Sequence, residues 1–409
     1  IMDTASSWRR LTICSVIGLF INIGIWSVVV VLPEIEREFN SSRASSALPY
    51  TFTLAGFAIG NFVIGSIVDR IGIAKATIYA SLLISGNFLL CSLSDSLLII
   101  TSSHFFLGLG TAVGFGPLIA DITHWFVKRR GIAVAIIASG NYLSGVVWSP
   151  LIGIMLSSFT WRDIYLSIAI VLPTVAIPFA FLLLNKTTKI KSDTENDFYA
   201  NNSKLVKISG GRLQFLLGMA GIGCCIAMAM PQVHIVAYCV GLGFGATIGA
   251  SMLSVMLASG IISRIMFGLC ADRIGSLNTL ILSSALQMIS LIFFIPFDGM
   301  ISLFVVSAIF GLSQGGIVPS YALVVRHFLP AREAGQRIGI VLMLTIFGMA
   351  IGGWMSGFIF DQTGSYKMAF LNGILWNIFN LGILGWLFFN FKSTPFNPRT
   401  LSEKHDTQR

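Results

Sequence analysis

Runs of apolar residues, each long enough to form a membrane-spanning helix, alternate with short polar stretches along the whole chain. A helix of about 20 residues crosses the ~30 Å hydrocarbon core of a bilayer. Span 1 is too long for the apolar core of a signal peptide, so we count it as a helix of the folded protein. The pattern predicts an all-α integral membrane protein with twelve transmembrane helices. These spans 1 to 12 are 11–33, 47–68, 76–95, 97–122, 131–156, 163–185, 212–238, 244–270, 277–297, 300–325, 336–360 and 367–390.

Composition and charge exclude a soluble domain and predict an orientation. The chain is 55% hydrophobic and only 11% charged. Of its 26 Lys and Arg residues, 21 fall on the side of the membrane that holds the N-terminus, four fall on the opposite side, and Arg264 lies within span 8. Basic residues collect on the cytoplasmic side, so we expect a multi-pass protein of the cell inner (plasma) membrane with both termini in the cytoplasm. The net charge of +9 then reflects topology and contact with anionic lipid, not binding of nucleic acid.

The sequence repeats itself after 203 residues. Residues 65–72 read GSIVDRIG and residues 268–275 read GLCADRIG, and each copy ends the second span of its half. Weaker echoes link span 4 with span 10 and span 5 with span 11 at similar offsets. The repeat predicts two pseudo-symmetric six-helix bundles. The predicted division is a first bundle at 1–185, a cytoplasmic linker at 186–211, a second bundle at 212–391 and a cytoplasmic tail at 392–409.

Two six-helix halves, a central polar loop and the pattern G-x-x-x-D-R-x-G after spans 2 and 8 resemble the major facilitator superfamily over essentially the whole chain. The resemblance implies that Asp69 locks against the other half when the carrier faces outward, and that Arg70 supports it. Asp272 and Arg273 hold the equivalent gating positions in the second half. A helix end with an acid and a snorkelling base explains the second pair nearly as well, so that alternative stays open.

Four further segments resemble the monocarboxylate-porter branch of this superfamily, which includes lactate and pyruvate carriers and oxalate/formate exchangers. They are LPEIEREFNSSRA (32–44), WFVKRRG (125–131), PQVHIVAY (231–238) and the stretch from Arg264 to Asp272. In that branch, an arginine eight residues before the loop-motif acid of span 8 binds the substrate carboxylate. Arg264 matches that arginine.

The chemistry of Arg264 agrees with this role. Arg264 lies eight residues before Asp272, about 12 Å deeper along a helix, and a charge at that depth costs several kcal/mol unless it meets a partner or a wet cavity. The predicted spans hold no other charge away from their ends. A planar guanidinium suits a carboxylate, and transporters hold substrate near the bilayer centre. The alternative is a structural arginine that donates to helix carbonyls.

Departures from the branch narrow the expected mechanism. Trp26 stands where proton-coupled animal members carry a lysine, and Gly260 stands where they carry an aspartate. No lysine lies in span 11, where oxalate exchangers carry one, and a single cation favours a monoanion over a dianion. If protons are coupled, His234 in span 7 is the best candidate, because its unperturbed pKa lies near 6.5. A histidine that only bonds neighbouring helices is equally consistent.

Uncharged side chains at similar depth complete the expected substrate pocket. The amides lie about 17 Å from the nearest cytoplasmic charges in sequence, and aromatic rings could supply walls. Intramembrane amides also hold helices together, so a structural role is the alternative for each. The candidates are Asn22, Asn141, Gln314, Trp26, Tyr142 and Trp148.

We therefore predict a secondary active transporter that moves a small organic anion, a monocarboxylate such as lactate or pyruvate, by alternating access with proton symport or anion exchange. No nucleophile–base set, phosphate loop or metal-ligand spacing indicates an enzyme, a cofactor or a metal. The expected partners are the substrate anion, protons and membrane lipid, and the carrier is expected to be a monomer. Two alternatives stay open, namely a proton-driven exporter of drugs or siderophores and a non-transporting sensor on the same fold.

Overall fold

The computed structural model describes residues 5–126, 129–184, 209–328 and 331–391, and every regular element in these ranges is helical. A short 3₁₀ turn at Ala112–Gly114 joins two of the helices. The α-helices are α1 Ala5–Ile21, α2 Ile23–Phe39, α3 Arg43–Ile71, α4 Ile73–Leu93, α5 Leu97–Thr111, α6 Gly116–Thr123, α7 Arg130–Ala138, α8 Gly140–Met155, α9 Trp161–Phe181, α10 Gly210–Gly241, α11 Ala246–Ile274, α12 Ser276–Phe293, α13 Met300–Gln314, α14 Ile317–Phe328, α15 Ala331–Thr363 and α16 Tyr366–Phe391.

Within the described ranges, twelve helical stretches are long and apolar enough to cross a membrane. They run from Ala5–Phe39 to Tyr366–Asn390 and coincide with spans 1 to 12 to within several residues at each end. The prediction of twelve transmembrane helices is therefore confirmed. The predicted linker at 186–211 and the tail at 392–409 lie almost entirely outside the described residues, and the division of the chain at these segments stays a prediction.

The two copies of the repeat end in the same backbone conformation. Gly72 has φ 86° and ψ 156°, and Gly275 has φ 87° and ψ 157°. Each is the single residue between two helices, α3 and α4 in the first copy and α11 and α12 in the second. Because a positive φ strains residues that carry a Cβ, the turn itself requires the last glycine of the motif. We call this end of the molecule the inner end, following the orientation predicted from charge, and the opposite end the outer end.

Two pairs of spans hold the helices of 5–184 against those of 209–391. Spans 2 and 11 pack together, as do spans 5 and 8, and span 1 also contacts span 7. Near the outer end, the Thr51 hydroxyl donates to the Ala350 carbonyl at 3.0 Å and the Thr247 hydroxyl donates to the Gly153 carbonyl at 2.8 Å. Interhelical hydrogen bonds in membrane proteins contribute only about 0.6 kcal/mol each on average. These two hydrogen bonds therefore contribute little to the stability of the contact between the two groups of helices.

Four of the spans are interrupted along their length. Span 1 breaks at Asn22, span 4 at 112–115, span 5 at Ser139 and span 10 at 315–316. Irregular backbone is tolerated at membrane depth only where it is buried in protein or lines a cavity. Transporters use such discontinuous helices to present backbone groups to substrates. The breaks therefore indicate that a substrate site would lie in the interior of the protein, at the depth where these helices are interrupted.

Spans 2 and 4 approach each other closely at two glycines. A Cβ added to Gly56 would lie 1.9 Å from the carbonyl oxygen of Phe105, and one added to Gly108 would lie 1.8 Å from that of Thr53. No side chain fits at such distances unless the helices move apart. The packing is the small-residue contact typical of transmembrane helices, and it fixes the distance between these two spans.

We expect Gly56→Val to lower the free energy of unfolding by about 1–3 kcal/mol or more, because the added carbons overpack a tight helix contact. The measurement is the thermal unfolding midpoint of the purified protein in detergent. Gly86→Val in span 3 is the matched control, since a Cβ at Gly86 meets no atom within 4 Å. Equal unfolding midpoints for the two variants would contradict this account of the packing.

Candidate functional site

Arg264 lies on span 8, and its side chain reaches across to span 5. Its Nη1 atom donates to the carbonyl oxygen of Ala138, and its guanidinium carbon lies 3.9 Å from the centroid of the Tyr142 ring. Its Nε atom is buried and has no hydrogen-bond partner among the described residues. The arginine therefore uses a helix carbonyl and an aromatic face, and it keeps an unsatisfied donor.

The break in span 5 explains why the Ala138 carbonyl is available. Ala138 ends α7 and Gly140 begins α8, and no helical hydrogen bond runs from the Tyr142 N–H to the Ala138 oxygen. Asn141 lies just past this break, as the second residue of α8. Trp26 donates its indole N–H to the Asn141 carbonyl at 2.8 Å and lies 3.0 Å from the Asn141 Oδ1. Two side chains from spans 1 and 8 thus meet at the interrupted part of span 5.

Glycines allow these side chains to come together. A Cβ on Gly145 would lie 2.2 Å from the Leu257 side chain and 3.0 Å from the Trp26 ring, and a Cβ on Gly260 would lie 2.7 Å from the Tyr142 ring. The Trp26 and Tyr142 rings pack edge to face with their centroids 6.3 Å apart. We call Trp26, Asn141, Tyr142 and Arg264 the Arg264 cluster. It combines four of the seven predicted substrate residues, and they come from both groups of helices.

The charge of Arg264 is not balanced by an acid within the described residues. No described Asp or Glu lies within ion-pair distance of it, whereas the ion pairs of the described residues lie near the ends of the spans, as between Arg10 and Asp121 or between Arg162 and Glu38. The Tyr142 face offsets part of the charge, because cation–π contacts contribute about 0.5–2 kcal/mol. A buried N–H without an acceptor remains costly. The Arg264 cluster is therefore an electropositive site that an anion would complete.

Asn22 and Trp148 lie away from this cluster and tie span 1 to its neighbours. The Asn22 side chain donates to the Gly18 carbonyl at 2.8 Å and to the Gly114 carbonyl at 3.2 Å. Trp148 donates to the Leu19 carbonyl at 3.0 Å, and its ring lines an apolar groove between spans 1, 5 and 6. In this conformation both side chains act in helix packing, and a contact with substrate stays a prediction for each.

Gln314 pairs with an amide that the sequence analysis did not select. Gln232 on span 7 donates its Nε2 to the Gln314 Oε1 at 2.9 Å, and both residues are fully buried. The remaining Gln232 Oε1 and Gln314 Nε2 atoms have no partner among the described residues, and neither does the hydroxyl of Tyr50 on span 2. The signal for Gln232 was available, because it is an intramembrane amide that directly follows Pro231 in span 7.

His234 lies outside the Arg264 cluster. Its Nε2 is 2.7 Å from the Gly353 carbonyl and its Nδ1 is 3.2 Å from the Tyr366 hydroxyl, so it joins span 7 to spans 11 and 12. It is fully buried. The histidine is thus part of the contact at the outer end, and any role in proton coupling would have to act there.

The predicted gating residues are described only in part. Arg70 and Arg273 are exposed at the inner end. The side chains of Asp69 and Asp272 lie outside what the structure describes, although both residues belong to helices α3 and α11. Their gating role stays a prediction.

Comparison with known proteins gives relatives over most of the chain. The chain is 26% identical to the MFS-type transporter pynF of Aspergillus niger over 332 residues, which cover 78% of this chain and 74% of that one. It is 23% identical to the agnestins efflux protein AgnL12 of Paecilomyces divaricatus, and 24% identical to monocarboxylate transporter 13 of Rattus norvegicus. Each of these two alignments spans 365 residues and covers 87% of this chain and 82% of the relative.

A solved structure supports the fold. The crystal structure of a bacterial homologue of the human lysosomal transporter Spinster matches with a TM-score of 0.75 at 13% sequence identity, over 97% of this chain and all of the other. A family model, the Major Facilitator Superfamily, matches residues 14–302 and 267–408. The chain therefore belongs to the Major Facilitator Superfamily, as the sequence resemblance predicted, and it is a multi-pass membrane transporter and not an enzyme.

Proposed function

We propose that this transporter carries a small monocarboxylate by alternating access and that Arg264 binds the carboxylate. The observation that carries the proposal is the guanidinium of Arg264 at the contact between spans 5 and 8, with a buried Nε that lacks an acceptor. One Nη1 hydrogen bond to a neutral carbonyl does not balance a full positive charge in a membrane interior. A carboxylate supplies both the missing charge and a bidentate acceptor.

The other residues of the Arg264 cluster would orient the arginine and supply a further hydrogen-bond donor in such a site. Tyr142 fixes the plane of the guanidinium by stacking against it. Trp26 holds Asn141 through the backbone and side-chain oxygens, which leaves the Asn141 amide nitrogen as a donor for the substrate. The similarity to monocarboxylate transporter 13 of Rattus norvegicus agrees with a carboxylate substrate. The proposed cycle couples transport to protons or to exchange of a second anion.

The contacts between the two groups of helices support alternating access. Spans 2 and 11 join the two groups of helices near the outer end, and the contact of spans 5 and 8 extends from Thr247 inward to Arg264. These contacts would close the outer path to the Arg264 cluster in this conformation. Substrate would exchange with the inner end in this state and with the outer end once these contacts have separated.

A second candidate is an exporter of a larger organic molecule. The observation that favours it is the similarity to the agnestins efflux protein AgnL12 of Paecilomyces divaricatus, together with the aromatic surfaces of Trp26 and Tyr142. An exporter of neutral or cationic compounds would not need an unpaired arginine in its site. The small-anion proposal accounts for Arg264, so we prefer it.

We expect Arg264→Ala and Arg264→Lys to reduce saturable uptake of the transported acid into proteoliposomes strongly, while Arg212→Lys leaves it unchanged. Arg212 is the matched control because it is also stacked on an aromatic ring, that of Trp386 at 5.6 Å, but is exposed at the inner end. Loss of charged hydrogen bonds worth about 2–3 kcal/mol corresponds to a fall of about 30- to 150-fold in kcat/KM. The measurement uses radiolabelled lactate, pyruvate, formate and oxalate. Unchanged transport by Arg264→Ala, or no uptake of any of these acids by the wild type, would contradict the proposal and favour the exporter.

We expect the wild type to prefer monoanions over the dianion oxalate. A single guanidinium neutralises one negative charge, and the second charge of a dianion would remain unpaired in a site of low polarity. The measurement is competition of unlabelled oxalate and unlabelled formate against uptake of the best labelled monocarboxylate. Stronger competition by oxalate than by formate would mean that a second cation, outside the Arg264 cluster, takes part.

We expect Tyr142→Phe to transport nearly as well as the wild type and Tyr142→Leu to bind substrate about 3- to 30-fold more weakly. Phenylalanine keeps the ring face under the guanidinium, whereas leucine removes a cation–π contact of about 0.5–2 kcal/mol that holds Arg264 in place. The measurement is the KM of uptake for both variants. Loss of transport in Tyr142→Phe would instead assign the function to the hydroxyl.

A further inference from the structure

A chain of polar contacts closes the outer end between spans 1 and 2 on one side and spans 7, 11 and 12 on the other. We call Glu36, Arg43, His234, Asp361 and Tyr366 the outer network. Arg43 is ion-paired with Glu36 and donates from Nη1 to the Tyr366 hydroxyl. The Tyr366 hydroxyl in turn lies 3.2 Å from the His234 Nδ1. Through Tyr366, the histidine of one group of helices is therefore connected to an arginine of the other.

Asp361 strengthens the same contact by capping a helix of the opposite group. Its two carboxylate oxygens each accept a hydrogen bond at 2.8 Å, one from the Arg43 N–H and one from the Ala44 N–H. These are the first N–H groups of α3. An anion at a helix N-terminus satisfies free donors and the positive end of the helix dipole. Gly357 permits this approach, since a Cβ there would lie 2.8 Å from the Arg43 carbonyl oxygen.

The contacts of His234 are satisfied by one neutral tautomer in the closed network. Its Nε2 faces the Gly353 carbonyl at 2.7 Å, and a carbonyl only accepts, so Nε2 carries the hydrogen. Nδ1 is then the acceptor for the Tyr366 hydroxyl, whose oxygen accepts from Arg43. The polar order runs from Arg43 to Tyr366 to His234 to Gly353. This order requires a neutral imidazole.

A second proton on His234 would break this order. Nδ1–H would then donate toward the Tyr366 oxygen, which already accepts from Arg43, and two positive charges would converge on one hydroxyl group. Neither nearby acid is hydrogen-bonded to the histidine. Glu36 is paired with Arg43, and Asp361 accepts the two N–H groups at the start of α3. The other titratable side chains around the network are Tyr238, which packs on Tyr366, and Tyr50, which packs on Gly353.

We propose that His234 is a proton-binding site that controls the outer gate, so that a proton on Nδ1 releases Tyr366 and Arg43 and lets span 2 separate from spans 11 and 12. The inference extends the proposed alternating-access cycle by naming how an external proton acts on it, and it does not depend on which substrate Arg264 binds. Because the open gate binds the proton more tightly than the closed gate, the open population must rise as the pH falls. One linked proton changes the open-to-closed ratio by at most about tenfold per pH unit.

The test measures the width of the outer end without substrate. Spin labels are placed on Ser158→Cys and Lys367→Cys, which are exposed near the outer ends of the two groups of helices, in a chain that also carries Cys270→Ser. The other five native cysteines are buried. Pulsed electron–electron double resonance then gives the distance between the labels at about pH 7.5 and about pH 5.5, values on either side of the ordinary histidine pKa. The wild type is expected to shift toward longer distances at the lower pH.

The variants separate a proton-binding role from a structural one. His234→Gln keeps a neutral donor and a neutral acceptor, so its gate is expected to stay closed at both pH values. His104→Gln is the matched control, because His104 is also fully buried between a carbonyl, that of Ile100 at 2.8 Å, and a tyrosine hydroxyl, that of Tyr165 at 3.2 Å, but joins only spans of the first group. It should keep the pH response of the wild type.

Tyr366→Phe removes the hydroxyl between the histidine and the arginine and is expected to open the gate already at neutral pH. A wild-type distance that does not change with pH would overturn the proposal. The same holds for a wild-type pH response in His234→Gln, for a His234→Gln gate that stands open at neutral pH, for loss of the response in His104→Gln, or for a closed Tyr366→Phe gate. Because no substrate is present, none of these outcomes bears on the choice of a monocarboxylate.

Discussion

The cost of placing a charge inside a membrane governs the arrangement around Arg264. A guanidinium at this depth needs acceptors, and within the described residues it receives one carbonyl and one aromatic face. The carbonyl is free only because span 5 is interrupted at Ser139. The break in span 5, the stacked Tyr142 and the approach of span 8 thus all serve to stabilise the buried charge of Arg264. The Nε has no acceptor among the described residues, and the proposed substrate carboxylate would supply one.

The contact between the two groups of helices is polar at two levels. Among the described residues, the positive charge of Arg264 contacts only neutral groups. At the outer end, the Arg43 side chain contacts Glu36 and Tyr366, and its backbone N–H donates to Asp361. In the proposals made above, the first level gains an anion when substrate binds, and the second loses its hydrogen-bond order when His234 gains a proton. Alternating access needs a closed contact that can open without large cost. A contact that contains ionisable groups, as the outer network does, meets that requirement better than an apolar interface of the same area, because apolar packing does not respond to protons or anions.

Much of the fold could be predicted from the sequence, because membrane spans depend on local composition alone. The depth of Arg264 also follows from counting residues along a helix. Of the residues selected for similar depth or aromatic character, Tyr142 contacts it, and Trp26 contacts Tyr142 and Asn141. Counting gives depth but not direction around the helix. Asn22 and Trp148 were therefore selected by the same rule, although both donate to backbone carbonyls between neighbouring spans. The outer network could not be predicted at all, since it joins Arg43 to a tyrosine 323 residues away along the chain.

The two buried histidines of spans 4 and 7 show why local chemistry is not enough to assign a function. Each lies between a helix carbonyl and a tyrosine hydroxyl, and each is fully buried. A proton would disturb both sites locally in the same way. Around His104 the disturbed bonds join spans 3, 4 and 6 of one group of helices, and such a cost only destabilises the fold. Around His234 the tyrosine is shared with Arg43 of the opposite group, so the same cost can be relieved by a movement between the groups. Protonation of a group favours a conformational change when both of them break the same hydrogen bonds.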